Sequence, residues 1–230
     1  MPGAVQYVSV ALYLVVLSMT SIILAGGKSS RLGRSKALQV IEGKSLIQWV
    51  VDHLAILSTE IIIATAHGEA IPCSSAIRIK TVADIYPGKG PLVGIYSGLA
   101  AASSSRAIVV GCDTPFLNVS LLEYMTQICS TFDVVVPRIK NKLEPLCAVY
   151  SKNCLVPIQG LLEQDERRIR KLFSMVNVKY VEEDEINRFD PEHLSFFNIN
   201  SQADLDKARK LAAEKRWGEE RSDSNSYHFS

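Results

Sequence analysis

The stretch Ser21-Ile22-Ile23-Leu24-Ala25-Gly26-Gly27-Lys28-Ser29-Ser30-Arg31-Leu32-Gly33-Arg34-Ser35-Lys36 begins as a short apolar, β-branched run and empties into a loop with three glycines and four cations. The apolar part has the composition of a buried strand. In the loop, glycines let backbone N–H groups approach phosphate oxygens closely, and Lys or Arg neutralises the charge. Two better-known phosphate motifs fail on spacing. A Walker A loop ending at Gly27-Lys28-Ser29 would need glycine where Ile22 stands, and one ending at Gly43-Lys44-Ser45 would need it at Leu38. No G-x-G-x-x-G occurs, so a dinucleotide fingerprint is absent. By itself the stretch reads equally well as a basic surface loop.

Outward from it, strand and helix patterns alternate. Strands are expected at Ser21–Leu24, Glu60–Ala64, Ile77–Val82, Ala107–Val110, Asp133–Pro137, Leu146–Tyr150 and Val178–Val181. Helices are expected at Leu46–Leu57 with Ser45 as N-cap, Leu92–Ala102, from Asn118 or Ser120 to Ser130, Ser151–Leu162, Glu166–Phe173, and Gln202–Lys215 capped by Ser201. This order predicts an α/β fold: one Rossmann-like three-layer domain, a mostly parallel sheet with helices on both faces. Parallel crossovers are right-handed, so the loops at the C-terminal ends of the strands share one sheet edge, where ligands bind. The glycine loop and Asp113, just past Val110, both fall on that edge.

At 230 residues the chain suits a single domain, expected over residues 19–216. A net charge of +1 with interspersed signs gives no electrostatic case for nucleic acid. Five scattered cysteines without C-x-x-C read as reduced thiols of a cytoplasmic protein, mostly filling the core. No charged side chain occurs from Met1 to Gly27. A membrane span of about 20 residues there would consume the first strand. Residues 1–18 are therefore read as an upstream extension, with Met19 as the natural start, and membrane attachment is not expected. From Trp217 the chain is polar and aperiodic, a disordered tail over 217–230.

Leu24–Lys36 resembles the signature L-A-G-G-x-S-x-R-[ML]-G-x-x-K of the molybdenum cofactor guanylyltransferases, within the larger nucleotidyltransferase family. Four further segments match in order: Pro87–Ile95, Gly111-Cys112-Asp113-Thr114-Pro115-Phe116-Leu117, Glu144–Tyr150 and Phe197-Asn198-Ile199-Asn200-Ser201. The resemblance spans about residues 20 to 212. It implies Mg²⁺-dependent transfer of GMP from GTP to the terminal phosphate of molybdenum-molybdopterin, with pyrophosphate released. Partners would be GTP, molybdenum-molybdopterin and proteins that deliver molybdopterin or mature molybdoenzymes. Rival readings are a cytidylyltransferase, a transferase acting on a sugar or alcohol phosphate, and a non-catalytic nucleotide-binding protein.

The same resemblance implies roles residue by residue. Arg31 and Lys36 would hold the phosphates, with Lys36, Asp113 and Arg31 as the catalytic set and Asp113 as the Mg²⁺ ligand. Leu24, Ala25, Gly26, Gly27, Lys36, Asp84, Gly90 and Asp113 would bind the nucleotide, and Asn198 and Asn200 would lie near the metal or the acceptor. Gly26 points to guanine, its missing Cβ leaving room for a purine. Asp84 can accept from guanine N1–H and N2–H₂ or from ribose hydroxyls, or can simply form the turn before Tyr86-Pro87-Gly88. Two departures stand out. Ser35 replaces the Asp that often precedes the lysine, and no Asn occurs near Ala66, with His67 read as an exposed loop residue.

Overall fold

A computed structural model describes residues 19–26, 36–86 and 88–214. Gly27 and Arg31, the expected extension 1–18 and the tail from Trp217 lie outside them. The strands are β1 (Thr20–Leu24), β2 (Val40–Ile41), β3 (Lys44–Ser45), β4 (Glu60–Thr65), β5 (Arg78–Ala83), β6 (Arg106–Gly111), β7 (Val134–Ile139), β8 (Lys142–Leu143), β9 (Cys147–Ser151) and β10 (Val178–Glu182). The α-helices are α1 (Leu46–Leu54), α2 (Pro91–Ala101), α3 (Val119–Gln127), α4 (Leu155–Glu163), α5 (Ile169–Leu172), α6 (Glu183–Ile186) and α7 (Gln202–Glu214).

The main sheet runs β10-β7-β9-β6-β1-β4-β5, with β8 paired to β7. Strand β1 is parallel to β4 and β6, and its last residue, Leu24, stands beside Ala64 on one side and Gly111 on the other. The chain first builds outward from β1 through β4 to β5, then returns to place β6 on the other flank. Strand order thus reverses between β1 and β6, and an open α/β sheet gapes at such a point. Strand β9 is antiparallel to both β6 and β7. The turn before β9 is therefore brought to the same edge as the loops after β1 and β6.

Alternation along the strands feeds two cores. On one face Ile23, Ile61, Ile63, Ile108 and Val110 pack with Val50, Val51 and Leu54 of α1 and Leu121, Leu122 and Met125 of α3. On the other, Ile22, Ile62 and Val109 pack with Leu92, Val93, Ile95 and Leu99 of α2 and Ile158, Leu161 and Leu162 of α4. Burying each such side chain contributes about 1.5–3 kcal/mol. Helix α2 sits unusually close to β1. A Cβ on Gly98 would lie 2.5 Å from Ile22 Cγ2, and one on Gly94 2.9 Å from Leu24 Cδ2. A third cluster of Ile41, Leu46, Phe116, Ile199, Leu205, Ala208 and Ala212 fastens α7 to the β2–β3 hairpin.

The expected elements appear with adjusted ends. Ser45 caps α1, accepting from Gln48 N at 3.3 Å, but the helix stops at Leu54, where the bonds tighten to Ile56 N→His53 O and Leu57 N→Leu54 O. Asn118, not Ser120, caps α3, accepting from Leu121 N at 2.9 Å. The helix expected over Glu166–Phe173 is reduced to the single turn α5. The Glu166 carboxylate there takes the Arg168 N–H at 2.9 Å, and Asp165 before it has φ +55°. Lys152–Cys154 form a separate 3₁₀ turn before α4, capped by Ser151 at the end of β9.

At the N-terminal end of the strands Glu60 is buried. Its carboxylate accepts from Thr20 Oγ1 (3.2 Å), Ser103 N (3.1 Å) and Ser103 Oγ (2.8 Å) and pairs with Lys80 (3.0 Å). Burial alone would raise its pKa, but the bonds from Ser103 and Lys80 hold it at about 2. This network ties β1, β4 and β5 together at the end away from the cleft.

Candidate active site

At the opposite edge the chain leaves β1 through Ala25, whose N–H donates to Ala64 O at 2.9 Å, while Cys112 N donates to Leu24 O at 3.1 Å. These bonds extend the ladder past the strand ends and hold two loops open on either side of the switch point. Between them lies a cleft of about 480 Å³, lined by Leu24, Ala25, Gly26, Lys36, Ala37, Ala64, Asp84, Gly88, Gly90, Pro91, Gly94, Gly111, Cys112, Asp113 and Leu146. Of the residues expected to hold the nucleotide, all but Gly27, which lies outside the described residues, face it. Arg31 lies outside them too.

Asp113 is set by a tight turn in which Thr114 Oγ1 donates to Gly111 O at 2.9 Å. A Cβ on Gly111 would stand 2.6 Å from Asp113 Oδ1, so glycine is what lets the carboxylate fold back there. Across the cleft Lys36 Nζ lies 3.3 Å from Asp113 Oδ2 and donates to Asn200 Oδ1 at 2.6 Å. Both side chains of the ion pair are about one-fifth exposed, enough to reach a ligand. Asn200 is presented by the third core: Ile199 is fully buried, and its N–H donates to Asp113 O at 3.0 Å. Asp204 then takes the N–H groups of Asn200 (3.0 Å) and Ser201 (2.9 Å). Asn198 shares the exposed side of this segment, but its amide donates to Phe196 O at 3.0 Å and does not join Lys36.

The far wall belongs to Asp84. Its N–H donates to Thr65 O at 2.9 Å, continuing the β4–β5 ladder. Its Oδ1 is buried and, among the described residues, has no hydrogen-bond partner. Burial, reinforced by the nearby Glu69 charge and opposed by His67, pushes this carboxyl up to about 6. A buried acceptor without a donor costs free energy and marks a place where a ligand donor fits. Gly26 acts through this group. A Cβ there would meet Ala66 N at 3.2 Å and Asp84 Oδ2 at 3.4 Å. The missing Cβ thus allows Asp84 and β4 to approach closely at the wall of the cleft that Gly26 itself lines. His67 is exposed, as expected, and its N–H donates to Glu69 Oε2 at 3.1 Å.

Two features escaped the sequence. Lys89, between Gly88 and Gly90, both at positive φ, donates to Leu162 O (3.0 Å) and pairs with Asp165 (3.3 Å), tying the cleft's rim to the end of α4. Leu146 enters the cleft because Gly111 N donates to Leu146 O at 3.2 Å, an arrangement that follows from β9 being antiparallel. Cys112, fully enclosed and next to Asp113, is pushed up to about 12, first by burial and then by that negative charge. It stays a thiol and is no nucleophile.

Residues 21–182 match the family model described as "MobA-like NTP transferase domain". The chain belongs to this family. It is a nucleotidyltransferase of the MobA-like type. A relative from Pelotomaculum thermopropionicum, named "Probable molybdenum cofactor guanylyltransferase", is 36% identical over 88% of this chain and 98% of its own length. The molybdenum cofactor guanylyltransferase of Desulfosudis oleivorans is 34% identical over 83% of this chain and 94% of its own. Among solved structures, molybdopterin-guanine dinucleotide biosynthesis protein A from Archaeoglobus fulgidus superposes with TM-score 0.71 at 24% identity, covering 85% of this chain and all of that one. At that identity the superposition supports the fold alone. Among the described residues no helix is long and apolar enough to cross a membrane.

Proposed function

We propose that this nucleotidyltransferase moves GMP from GTP to the terminal phosphate of molybdenum-molybdopterin, releasing pyrophosphate, with Mg²⁺ as cofactor. One observation carries the reading. In a chain of this family, the Lys36–Asp113 pair and the unpaired Asp84 oxygen line one cleft at the switch point. Phosphate chemistry at one end and an acceptor for N–H donors at the other fit a guanine nucleotide. Guanine offers N1–H and N2–H₂ side by side to a carboxylate, whereas cytosine sets the acceptor N3 beside its single amino group. Facing Asp84, cytosine would leave one carboxylate interaction repulsive, which discriminates against it.

The acceptor phosphate is ionised at neutral pH and needs no protein base. One of its oxygens attacks the α-phosphorus, a new P–O bond forms, and the bond to the β-phosphate's bridging oxygen breaks with its electron pair on pyrophosphate. Lys36 already sits at the mouth of this path, steadied by Asn200, and its ammonium stabilises charge growing on the α-phosphoryl oxygens. The donor set fits Mg²⁺, which takes one or two carboxylates and completes its shell with phosphates and water. Asp113 offers one partly exposed carboxylate, cradled by Gly111. Held there, Mg²⁺ would supply positive charge against the triphosphate oxygens. A cytoplasmic setting accords with five cysteines kept as free thiols.

The test incubates the protein with Mg²⁺, each NTP in turn and molybdenum-loaded molybdopterin, and identifies the nucleotide joined to the pterin. GMP transfer is expected. CMP transfer would overturn the guanine reading, and pyrophosphate release at the wild-type rate by Lys36→Ala would remove that residue from the mechanism.

A further inference from the structure

In-line displacement puts the acceptor on the opposite side of the α-phosphate from pyrophosphate. Asp84 and Gly26 stand over β1, β4 and β5, which leaves the half of the edge over β6, β9, β7 and β10 to receive the acceptor. The product joins two heterocycles with the same recognition edge. Guanine and the pterin of molybdopterin each carry a 2-amino-4-oxopyrimidine with adjacent N–H donors. Each end calls for a carboxylate, and Asp84 serves only one.

The carboxylates of the acceptor half are nearly all engaged. Asp113 is held by Lys36 at 3.3 Å, and Glu182 takes Arg138 Nε at 3.0 Å. Glu185 takes Tyr124 Oη at 2.6 Å and Lys179 at 3.1 Å, and Glu183 takes Lys140 N at 3.3 Å. Asp190 takes Leu194 N at 3.0 Å and Ser195 N at 2.8 Å. Glu144 differs. It is half-buried in the β8–β9 turn, and among the described residues its carboxylate makes no hydrogen bond or ion pair. Lys142 and Arg170 reach it only through their fields. Burial raises its pKa, the cost of a carboxylate partly stripped of water without donors.

The backbone around it, by contrast, is fixed. Glu144 N donates to Pro137 O at 3.0 Å, and Cys147 N to Glu144 O at 3.1 Å. Tyr150 Oη donates to Pro145 O at 2.8 Å. Leu146, two residues on, lines the cleft and accepts from Gly111 N, the residue that cradles Asp113. A turn held this firmly, carrying an uncommitted carboxylate two residues from the cleft-lining Leu146, is preorganised for recognition.

We propose that Glu144 reads the acceptor, accepting hydrogen bonds from the N3–H and 2-amino group of the pterin as Asp84 does from guanine. The inference rests on molybdopterin being the acceptor, and the experiment separates the two claims. Wild-type protein, Glu144→Gln and Glu144→Ala are assayed for GMP transfer with Mg²⁺ and GTP, together with GTP affinity by calorimetry and melting temperature. Binding of 6-hydroxymethylpterin is compared with that of the matching lumazine, which lacks the 2-amino group. Loss of a carboxylate-assisted pair predicts a KM for molybdopterin raised about tenfold or more, with GTP affinity unchanged. Wild-type protein should prefer the pterin to the lumazine, and Glu144→Gln should lose that preference, a readout that a merely structural role would leave alone. An unchanged KM for molybdopterin in Glu144→Ala, or an unchanged preference in Glu144→Gln, would overturn the role of Glu144 while leaving the acceptor intact. Absence of transfer by the wild-type protein would instead overturn the acceptor reading itself.

Discussion

Asp84→Asn is expected to make the ligand-free protein more stable and the nucleotide-binding protein worse. The folded-state pKa of Asp84 is about 6 against an ordinary 3.8, because burial and the Glu69 charge disfavour the carboxylate. At 1.36 kcal/mol per unit the displacement corresponds to about 3 kcal/mol. Half the side chain is still solvated, and discounting for that screening leaves about 1.5 kcal/mol. The sign follows from the raised value. Relief from the penalty is complete below the unfolded pKa and disappears as pH rises through about 6. Near pH 7 wild-type Asp84 therefore bears the full cost, and Asn, neutral and of the same shape, does not. Urea melts at pH 7.5 should place Asp84→Asn about 1.5 kcal/mol above wild type, near 3–6 °C in Tm for a domain of this size. The gap should close between pH 6 and pH 4. GTP affinity, measured by calorimetry at pH 7.5, should fall about 10–100-fold with the loss of a charge-assisted pair. An Asn variant that is no more stable than wild type at pH 7.5, or whose advantage persists unchanged at pH 4, would refute the reasoning.

Wild-type GTP affinity should itself decline as pH falls through about 6, where Asp84 takes up a proton and loses an acceptor site; calorimetry across pH 5–8 checks it. Asp113→Asn should lower Mg²⁺-dependent transfer by about 10²–10³-fold while leaving the melting temperature close to wild type. Gly98→Ala would set a Cβ 2.5 Å from the fully buried Ile22, and overpacking should cost about 1–3 kcal/mol, partly offset by helix propensity. Gly160→Ala, with nothing within 4 Å of its Cβ, should instead gain about 0.5–1 kcal/mol, so paired melts test the packing claim. Lys89→Met should raise the KM for GTP several-fold by freeing the Gly88–Gly90 rim, and steady-state kinetics would show it in KM before kcat.

Much of the sheet was legible because buried strands write themselves as short β-branched runs. Ile22-Ile23, Ile61-Ile62-Ile63 and Ile108-Val109-Val110 did so, and each feeds both cores by alternation. Capping chemistry located the start of α1 at Ser45, because the hydroxyl that takes Gln48 N is a local event. Direction was not legible. Cys147–Ser151 is apolar whichever way it runs, and only its neighbours β6 and β7 make it antiparallel. The β2–β3 hairpin also escaped, being two residues per strand, although Glu42-Gly43 at φ 46° and 76° is a two-residue turn that a glycine at its second position signals.

At the site the sequence supplied residue types and the fold supplied their meaning. Lys36 and Asp113 were nameable from their motifs, but their meeting across 77 positions depends on strand order at the switch point. Gly26 was nameable from its motif, but that its missing Cβ brings Ala66 N and Asp84 close at the cleft wall is visible only in the fold. Asn198 and Asn200 looked equivalent by alternation, yet only Asn200, 164 residues from Lys36, receives the ammonium.

The sequence by itself determined the alternating α/β order, the phosphate-compatible loop after β1 and the aspartate after β6. These rest on interactions that reach a few residues along the chain: propensity, periodicity, capping and the backbone freedom of glycine. The tertiary structure alone decided that, among the described residues, Asp84 Oδ1 lacks a partner, that Lys36 is shared by Asp113 and Asn200, and that the Glu144 turn is pinned beside Gly111. Those facts are made of desolvation and contact between distant segments, and neither quantity exists until the strands have been ordered and the cleft has closed around them.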